Sequence, residues 1–375
     1  MNSTGFDGQN HAETRVEVAV ERLPFVSIVL PIRNEERHIR ACLTRLLEQD
    51  YPAERYEVVV VDGESDDATP ALVREIQREV GSDRLRLLNN PGRIVPVALN
   101  IGISAARGEV IVRMDGHTVP ERDYVSSCVR ALRESAADNV GGPMRPRGET
   151  EFGRAVAVAL QHPIGVGDAR FHLEGESGYV DTVYMGAFRR EIFERAGLFD
   201  ESMVRNQDYE MNVRIRAAGG KIYLDPRIRS CYTPRGSFAG LWKQYFEYGW
   251  WRVETIRRHR WSARWRQLLP AAFVAALAGS LLLSPFWAVA ALGFGLVVVL
   301  YLGALGAATA AVRERLSGPA LLRLPGAFVA MHIGYGCGFL LNVVSGGRFP
   351  FRAKAPAVPR LESNLQEAAP RPVSA

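Results

Sequence analysis

The chain has 375 residues, 47% hydrophobic and 23% charged, with a formal net charge of +5. It is too long for one small domain and too balanced in composition to be a disordered chain. Four widely spaced cysteines (Cys42, Cys128, Cys231, Cys337) with no C-x-x-C pair argue against a disulfide scaffold or a zinc finger, and for a reducing compartment.

Residues 1–24 carry both charge signs and no apolar signal core, and are expected to form a flexible N-terminus. Val26 to Leu30 (VSIVL) is a short continuous apolar run, the signature of a parallel strand covered on both faces. Glu36 to Glu48 has the helical period, with Ile39, Cys42, Leu43 and Leu46 on one face. Tyr56 to Val61 (YEVVVV) is a second strand, followed by a helix over Pro70 to Glu79 with its proline in the first turn. Leu85 to Leu88 is a third strand, Val95 to Ala106 a helix, and Glu109 to Met114 a fourth strand. Strands alternating with helices predict an α/β fold with a mostly parallel sheet over residues 25–235.

Farther on the chain changes solvent. Residues 236–266 form an expected interfacial segment, in which Arg252, Arg257, Arg258, Arg260, Arg264 and Arg266 alternate with Trp250, Trp251, Trp261 and Trp265. Gln267 to Val312 is 46 residues without a charge, enough for two membrane spans at roughly 20 residues each. Ser284-Pro285 marks the turn, giving spans at about 268–284 and 286–312 within a membrane region 267–347. A third candidate, 324–345, is ambiguous, because crossing there would export Arg348, Arg352, Lys354 and Arg360 against the charge rule. The alanine- and proline-rich residues 348–375 read as a flexible tail. The position of the arginines against the apolar run favours a membrane over a nucleic acid as the partner, with the N-terminal domain on the cytoplasmic side.

Three strand ends carry polar chemistry: Pro31-Ile32-Arg33-Asn34-Glu35-Glu36, Asp62-Gly63-Glu64-Ser65-Asp66-Asp67 and Asp115-Gly116-His117. Each by itself is ordinary turn chemistry. Three at one rim of a parallel sheet, where ligands bind, point to a site in which a cation or the donors of a nucleoside offset the acids. The chain lacks a dinucleotide fingerprint, a P-loop and a G-x-S-x-G elbow, which disfavours nicotinamide or flavin enzymes, nucleotide hydrolases of that class and esterases.

In order, VSIVLPIRNEE, VVVVDGESDD, ALNIGISAARGEVIVRMDGH, YMGAFRREIFERAGLFDE and NQDYEMNVRIRAAGGKIYLDP resemble inverting family 2 glycosyltransferases of GT-A fold. More narrowly, they resemble the membrane-anchored bacterial enzymes of succinoglycan-type exopolysaccharide synthesis. The likeness runs from Phe25 to about Arg252. It implies that Pro31, Arg33, Glu35, Asp62, Asp66, Arg93 and Asp115 line a nucleotide-sugar pocket. It also implies that Asp115 and His117, standing where the family has D-x-D, hold a divalent metal. An imidazole in place of the second carboxylate suits Mn2+ better than Mg2+. Asp208 falls at the catalytic base, with Gln207 where a glutamate is usual and Glu210 as its rival. Gly186, Asp200, Gln244 and Arg252 are weaker candidates for the acceptor or the diphosphate. The Q-x-x-R-W motif of polymer-extruding synthases is absent, and Glu247 stands where its arginine would fall.

The function so implied is transfer of one sugar, from a uridine diphosphate-linked donor, to a polyprenyl-diphosphate-linked saccharide. The setting would be the bacterial inner membrane, alongside other glycan-assembly enzymes. The alternatives are a polyprenyl-monophosphate glycosyl synthase, or a silent subunit that binds nucleotide sugar.

Overall fold

The computed structural model describes residues 23–173 and 175–348, so the two flexible termini expected from the sequence lie almost wholly outside the described residues. In chain order the strands are β1 (Val26–Ile32), β2 (Tyr56–Asp62), β3 (Leu85–Asn89), β4 (Val110–Arg113), β5 (Thr118–Pro120), β6 (Asn139–Gly141), β7 (Arg145–Pro146), β8 (Gly178–Tyr179), β9 (Ala187–Arg189), β10 (Ile222–Leu224) and β11 (Ser230–Tyr232). The main sheet has the order β3-β2-β1-β4-β9-β6-β10-β8. It is parallel except for β9, which runs against β4 and β6, and β8, which runs against β10. A three-stranded sheet, β5-β11-β7, stands beside it.

The helices are α1 (Ile39–Leu47), α2 (Thr69–Val80), α3 (Val95–Ala105), α4 (Tyr124–Ser135), α5 (Glu151–Ala159), α6 (Pro163–Val166), α7 (Glu191–Ala196), α8 (Gln207–Ala217), α9 (Phe238–Arg258), α10 (Trp265–Leu283), α11 (Ala288–Ala311) and α12 (Gly318–Ser345). The strand period of two divides the core. Val58 and Val60 face α1, α2 and α4, while Val59 and Val61 face α3. In β4, Val110 and Val112 join the first layer and Ile111 the layer built with α3, α7 and α8. α1 begins at Ile39, not Glu36, because the backbone of residues 33–38 is drawn into the loop beyond β1.

At the end of β2 opposite Asp62, the fully buried Glu57 accepts hydrogen bonds from Ser27 Oγ (2.7 Å), the Arg107 backbone N–H (2.8 Å) and Arg107 Nε (3.0 Å). Burial pushes its carboxyl pKa up, but Ser27, Arg107 and Arg86 together hold it below the ordinary value. Its contribution to stability is therefore full above the unfolded pKa and lost as pH falls through the folded one. Glu57→Gln is expected to cost about 2–3 kcal/mol at neutral pH, the low end for a buried pair because both arginines are partly exposed. It should also flatten the loss of stability below about pH 4.5. Thermal unfolding in detergent as a function of pH checks both.

The last third of the chain is a separate layer. α10, α11 and α12 are each long and apolar enough to cross a membrane. α10 and α11 form a hairpin turning at Ser284-Pro285, whose far end bears exposed Leu282, Phe286, Trp287, Val289 and Leu292. α12 instead packs along α9 in the same direction. Asn342 Nδ2 donates to Trp250 O (3.1 Å) and to Glu254 Oε1 (2.9 Å). A Cβ on Gly338 would sit 2.0 Å from the Phe246 carbonyl oxygen, so only glycine lets the two backbones come this close. α12 also packs on α5, where Phe328 and Met331 meet Ala155, Val156 and Ala159.

The segment read as an interfacial collar is buried in part and exposed in part. Trp250 is buried at 1% exposure, because α12 covers it, whereas Trp261 and Trp265 are exposed. Arg258 pairs with Asp200, Arg266 with Asp168 and Asp181, and Arg257 with Glu254.

Candidate active site

β2 and β4 flank β1, so the three polar strand ends become neighbours, with Ile32 opposite Asp62 in register. Hydrogen bonds lace the first two loops together. The Asn34 N–H donates to Ser65 Oγ (2.9 Å), the Asp66 N–H to Asn34 Oδ1 (3.1 Å) and the Glu35 N–H to Thr69 Oγ1 (2.8 Å). Asp62, 7% exposed, accepts from the Ser65 N–H and hydroxyl. Pro31 is buried inside β1, while Arg33 and Asp66 are exposed at the rim. Arg93 pairs with Glu64. Asn34, Glu64, Arg93, Met185 and Asn206 all have positive φ, and Ala136 alone shares this among the other described non-glycine residues. Such backbone costs of order 1–3 kcal/mol per residue, and five of the six instances lie on the loops around these strand ends and before β9 and α8.

Asp115, just past β4, is held by Arg113 Nη2 (2.9 Å) and by the Tyr184 hydroxyl (3.4 Å). Burial pushes its carboxyl pKa up, yet Arg113 and His117 hold it below the usual range. His117 Nδ1 lies 3.0 Å from Glu35 Oε1. For that imidazole burial lowers the pKa, but Glu35 and Asp115 outweigh it and the net shift is upward. A carboxylate on Nδ1 is the usual partner of a metal-ligating histidine and leaves Nε2 for the ion. No group of three His, Cys, Asp or Glu among the described residues could hold a metal alone. By ligand type, Asp115 and His117 could take part only in an open site completed by oxygens of a bound donor.

Asp208 stands in the first turn of α8, where the helix dipole favours a carboxylate, and pairs with Arg113. Glu210 points away: buried at 2%, it is bound by Arg214 (2.7 Å) and His259 (3.0 Å), so it serves packing and not chemistry. α8 is clamped to the membrane layer. Asn206 Nδ2 donates to Tyr248 O (3.1 Å), Tyr209 Oη to Ser262 O (2.8 Å), and Arg205 pairs with Glu247 (3.0 Å).

The weaker candidates occupy supporting places. Gly186 has φ +89°, and a Cβ there would meet Asn139 and Phe188 at 2.7 Å, so its glycine is needed by packing. Asp200 caps Ser202 and pairs with Arg258. Gln244 donates to the Tyr248 hydroxyl (3.0 Å), and the Arg252 guanidinium stacks 3.8 Å from the centre of the Tyr209 ring. Gln244 thus bonds within α9, and Arg252 ties α9 to α8. Arg113, which joins Asp115 to Asp208, was missed in the sequence because it sits inside an apolar strand. The one signal was a charge in the run VIVRM, where a covered strand should have none. On the far side of His117 lies a cavity of about 410 Å3, with Arg37, His38, Arg45 and Arg147 in its wall beside Glu121 and Glu149.

Residues 27–197 match the model of glycosyl transferase family 2. The succinoglycan biosynthesis protein ExoA of Rhizobium meliloti (strain 1021) is 31% identical over 73% of this chain and 85% of that protein. A second relative is the dolichyl N-acetyl-alpha-D-glucosaminyl phosphate 3-beta-D-2,3-diacetamido-2,3-dideoxy-beta-D-glucuronosyltransferase of Methanococcus voltae. It is 27% identical over 86% of this chain and 98% of its own length. The mannosyltransferase PcManGT from Pyrobaculum calidifontis, solved in complex with GDP-Man and Mn2+, shares the fold with a TM-score of 0.54. Its identity is 22%, over 87% of this chain and 88% of that one. With three strand ends meeting over Asp62 and Asp115 and a relative this similar across most of its length, the chain belongs to glycosyl transferase family 2 and is a GT-A-type glycosyltransferase.

Proposed function

We propose that the protein transfers one sugar, with inversion, from a uridine diphosphate-linked donor to a saccharide carried on a polyprenyl diphosphate. The observation that carries this reading is the placing of one carboxylate, Asp208, across Arg113 from Asp115 at the rim of the parallel sheet. In this mechanism the loops after β1 and β2 take the nucleoside, with Asp62 as its acceptor. Asp115 and His117 would hold a divalent cation, Mn2+ by ligand type, which supplies positive charge beside the departing diphosphate. Asp208 removes the proton of the acceptor hydroxyl as that oxygen attacks the anomeric carbon, and the fixed sheet and clamped α8 keep the partners in line. The basic wall of the cavity beyond His117 supports an anionic acceptor, and the relatives' printed activities on lipid-linked sugars and in succinoglycan synthesis support the substrate class.

The test is sugar-dependent release of uridine diphosphate by membranes containing the protein. It uses a panel of donors, with either a bacterial diphosphate-linked lipid extract or a polyprenyl monophosphate as acceptor. Release with the first acceptor class is expected. Release only with the monophosphate would replace this reading by that of a monophosphate glycosyl synthase. Donor binding with no release from either would favour the silent subunit.

The membrane arrangement proposed with it has two crossings, α10 and α11, and α12 lying along the cytoplasmic face of the inner membrane. α9 supports this, because it carries Lys243, Glu247, Arg252, Glu254, Arg257 and Arg258 along the length of α12, and a bilayer would have to admit both helices together. A cysteine introduced by Arg348→Cys, in a chain whose own cysteines are replaced, should react with an impermeant maleimide only after cells are opened. Labelling of intact cells would mean a third crossing.

A further inference from the structure

Arg113 is 6% exposed, at the end of a strand whose other residues, Val110, Ile111 and Val112, are pure core. A buried guanidinium costs several kcal/mol unless it is paired, and nothing in the packing of β4 requires one there. The strand period puts Arg113 on the face of Ile111, which looks toward α8. Its backbone N–H donates to Gly186 O (3.0 Å), so its Cα is set by the ladder with the segment before β9. From there Nη2 reaches Asp115 Oδ1 (2.9 Å) and Nη1 reaches Asp208 Oδ1. Nε has no acceptor, and Nη1 and Asp208 Oδ1, both buried, meet as an ion pair without a hydrogen bond, so the two carboxylates are the charged partners of the head group. Asp208 Oδ1 is itself buried, while the side chain keeps 28% exposure, which leaves Oδ2 as the oxygen open to an acceptor hydroxyl.

We infer that Arg113 is a positioning residue for sugar transfer: its planar fork holds the base Asp208 and the donor-side acid Asp115 at a set separation, with Oδ2 of Asp208 turned to the acceptor. This rests on the reading of Asp208 as the base. The fork matters because a guanidinium has two donors at fixed spacing, whereas an ammonium is a point charge. Two carboxylates on different elements, 93 residues apart in sequence (positions 115 and 208), otherwise have only helix and loop packing to keep them in register. A misplacement of about 1 Å costs a rate factor near 10².

The test is a double-mutant cycle on the full chain in detergent, reading single-turnover transfer of radiolabelled sugar together with donor affinity and thermal unfolding. Arg113→Met is expected to slow single-turnover transfer at saturating donor by about 10–100-fold. Made on Asp208→Asn, the same change should cost less than about threefold more, since the carboxylate it positions is gone. Arg113→Lys, which keeps the charge but not the fork, should slow transfer by about tenfold in the parent and leave Asp208→Asn unchanged. It carries the cycle alone if Arg113→Met does not fold. A tenfold or larger further loss on Asp208→Asn, or parent rates within about threefold of wild type for both arginine variants, would overturn the proposal. Wild-type rates in Asp208→Asn itself would instead remove the base assignment, which is a separate result.

Discussion

Asp208→Asn should lower the turnover number for sugar transfer by about 10²–10⁴-fold while donor affinity stays within about threefold. The amide has nearly the shape of the carboxylate and keeps the first turn of α8, so the variant removes proton acceptance and little else. Glu210 cannot take over, because Arg214 and His259 already occupy it on the far side of the helix. Gln207 offers no carboxylate, so no neighbouring acid in this turn compensates. The measurement is transfer from the donor identified by the release assay, with binding followed separately by calorimetry. An acceptor phosphate needs no general base, so undiminished transfer in Asp208→Asn would point to a monophosphate acceptor.

The second large effect is on donor binding. Asp115→Ala is expected to weaken donor affinity in Mn2+ by about 100-fold, roughly 3 kcal/mol, and to abolish the difference between Mn2+ and chelator. Asp115 alone places a carboxylate, kept ionised by Arg113, at the end of β4 beside the nucleoside loops. His117→Ala should cost less, about tenfold, since an imidazole brings no negative charge to the ion. Calorimetric titration of the donor with and without metal checks both, and equal donor affinity in wild type and Asp115→Ala would sink the metal assignment.

The loops proposed to take the nucleotide were legible because their chemistry is local. Asp62 and Asp115 each stand at the end of a mostly apolar strand, and in a parallel sheet the rim position of such a residue is dictated by the strand itself. Asp208 is proposed as the base only through the family resemblance, since nothing in Asn206-Gln207-Asp208-Tyr209 says where α8 will dock. Arg113 shows the opposite failure: its role depends on a partner 95 positions away (113 to 208), and composition marks it only as an oddity in a strand.

The membrane layer divides in the same way. The apolar run Gln267 to Val312 by itself determined two long apolar helices and the turn at Ser284-Pro285, because hydrophobicity and the missing proline amide act over a few residues. The placement of α9 against α12 is set by long-range packing instead. An arginine- and tryptophan-rich segment has the same composition whether it faces headgroups or a helix; Trp250 lies buried under α12, while Arg258 stays exposed and pairs with Asp200. The backbone contact at Gly338 and the bonds of Asn342 select the second outcome. They are long-range contacts, formed only when the chain has closed on itself, and no local pattern of charge or period carries them.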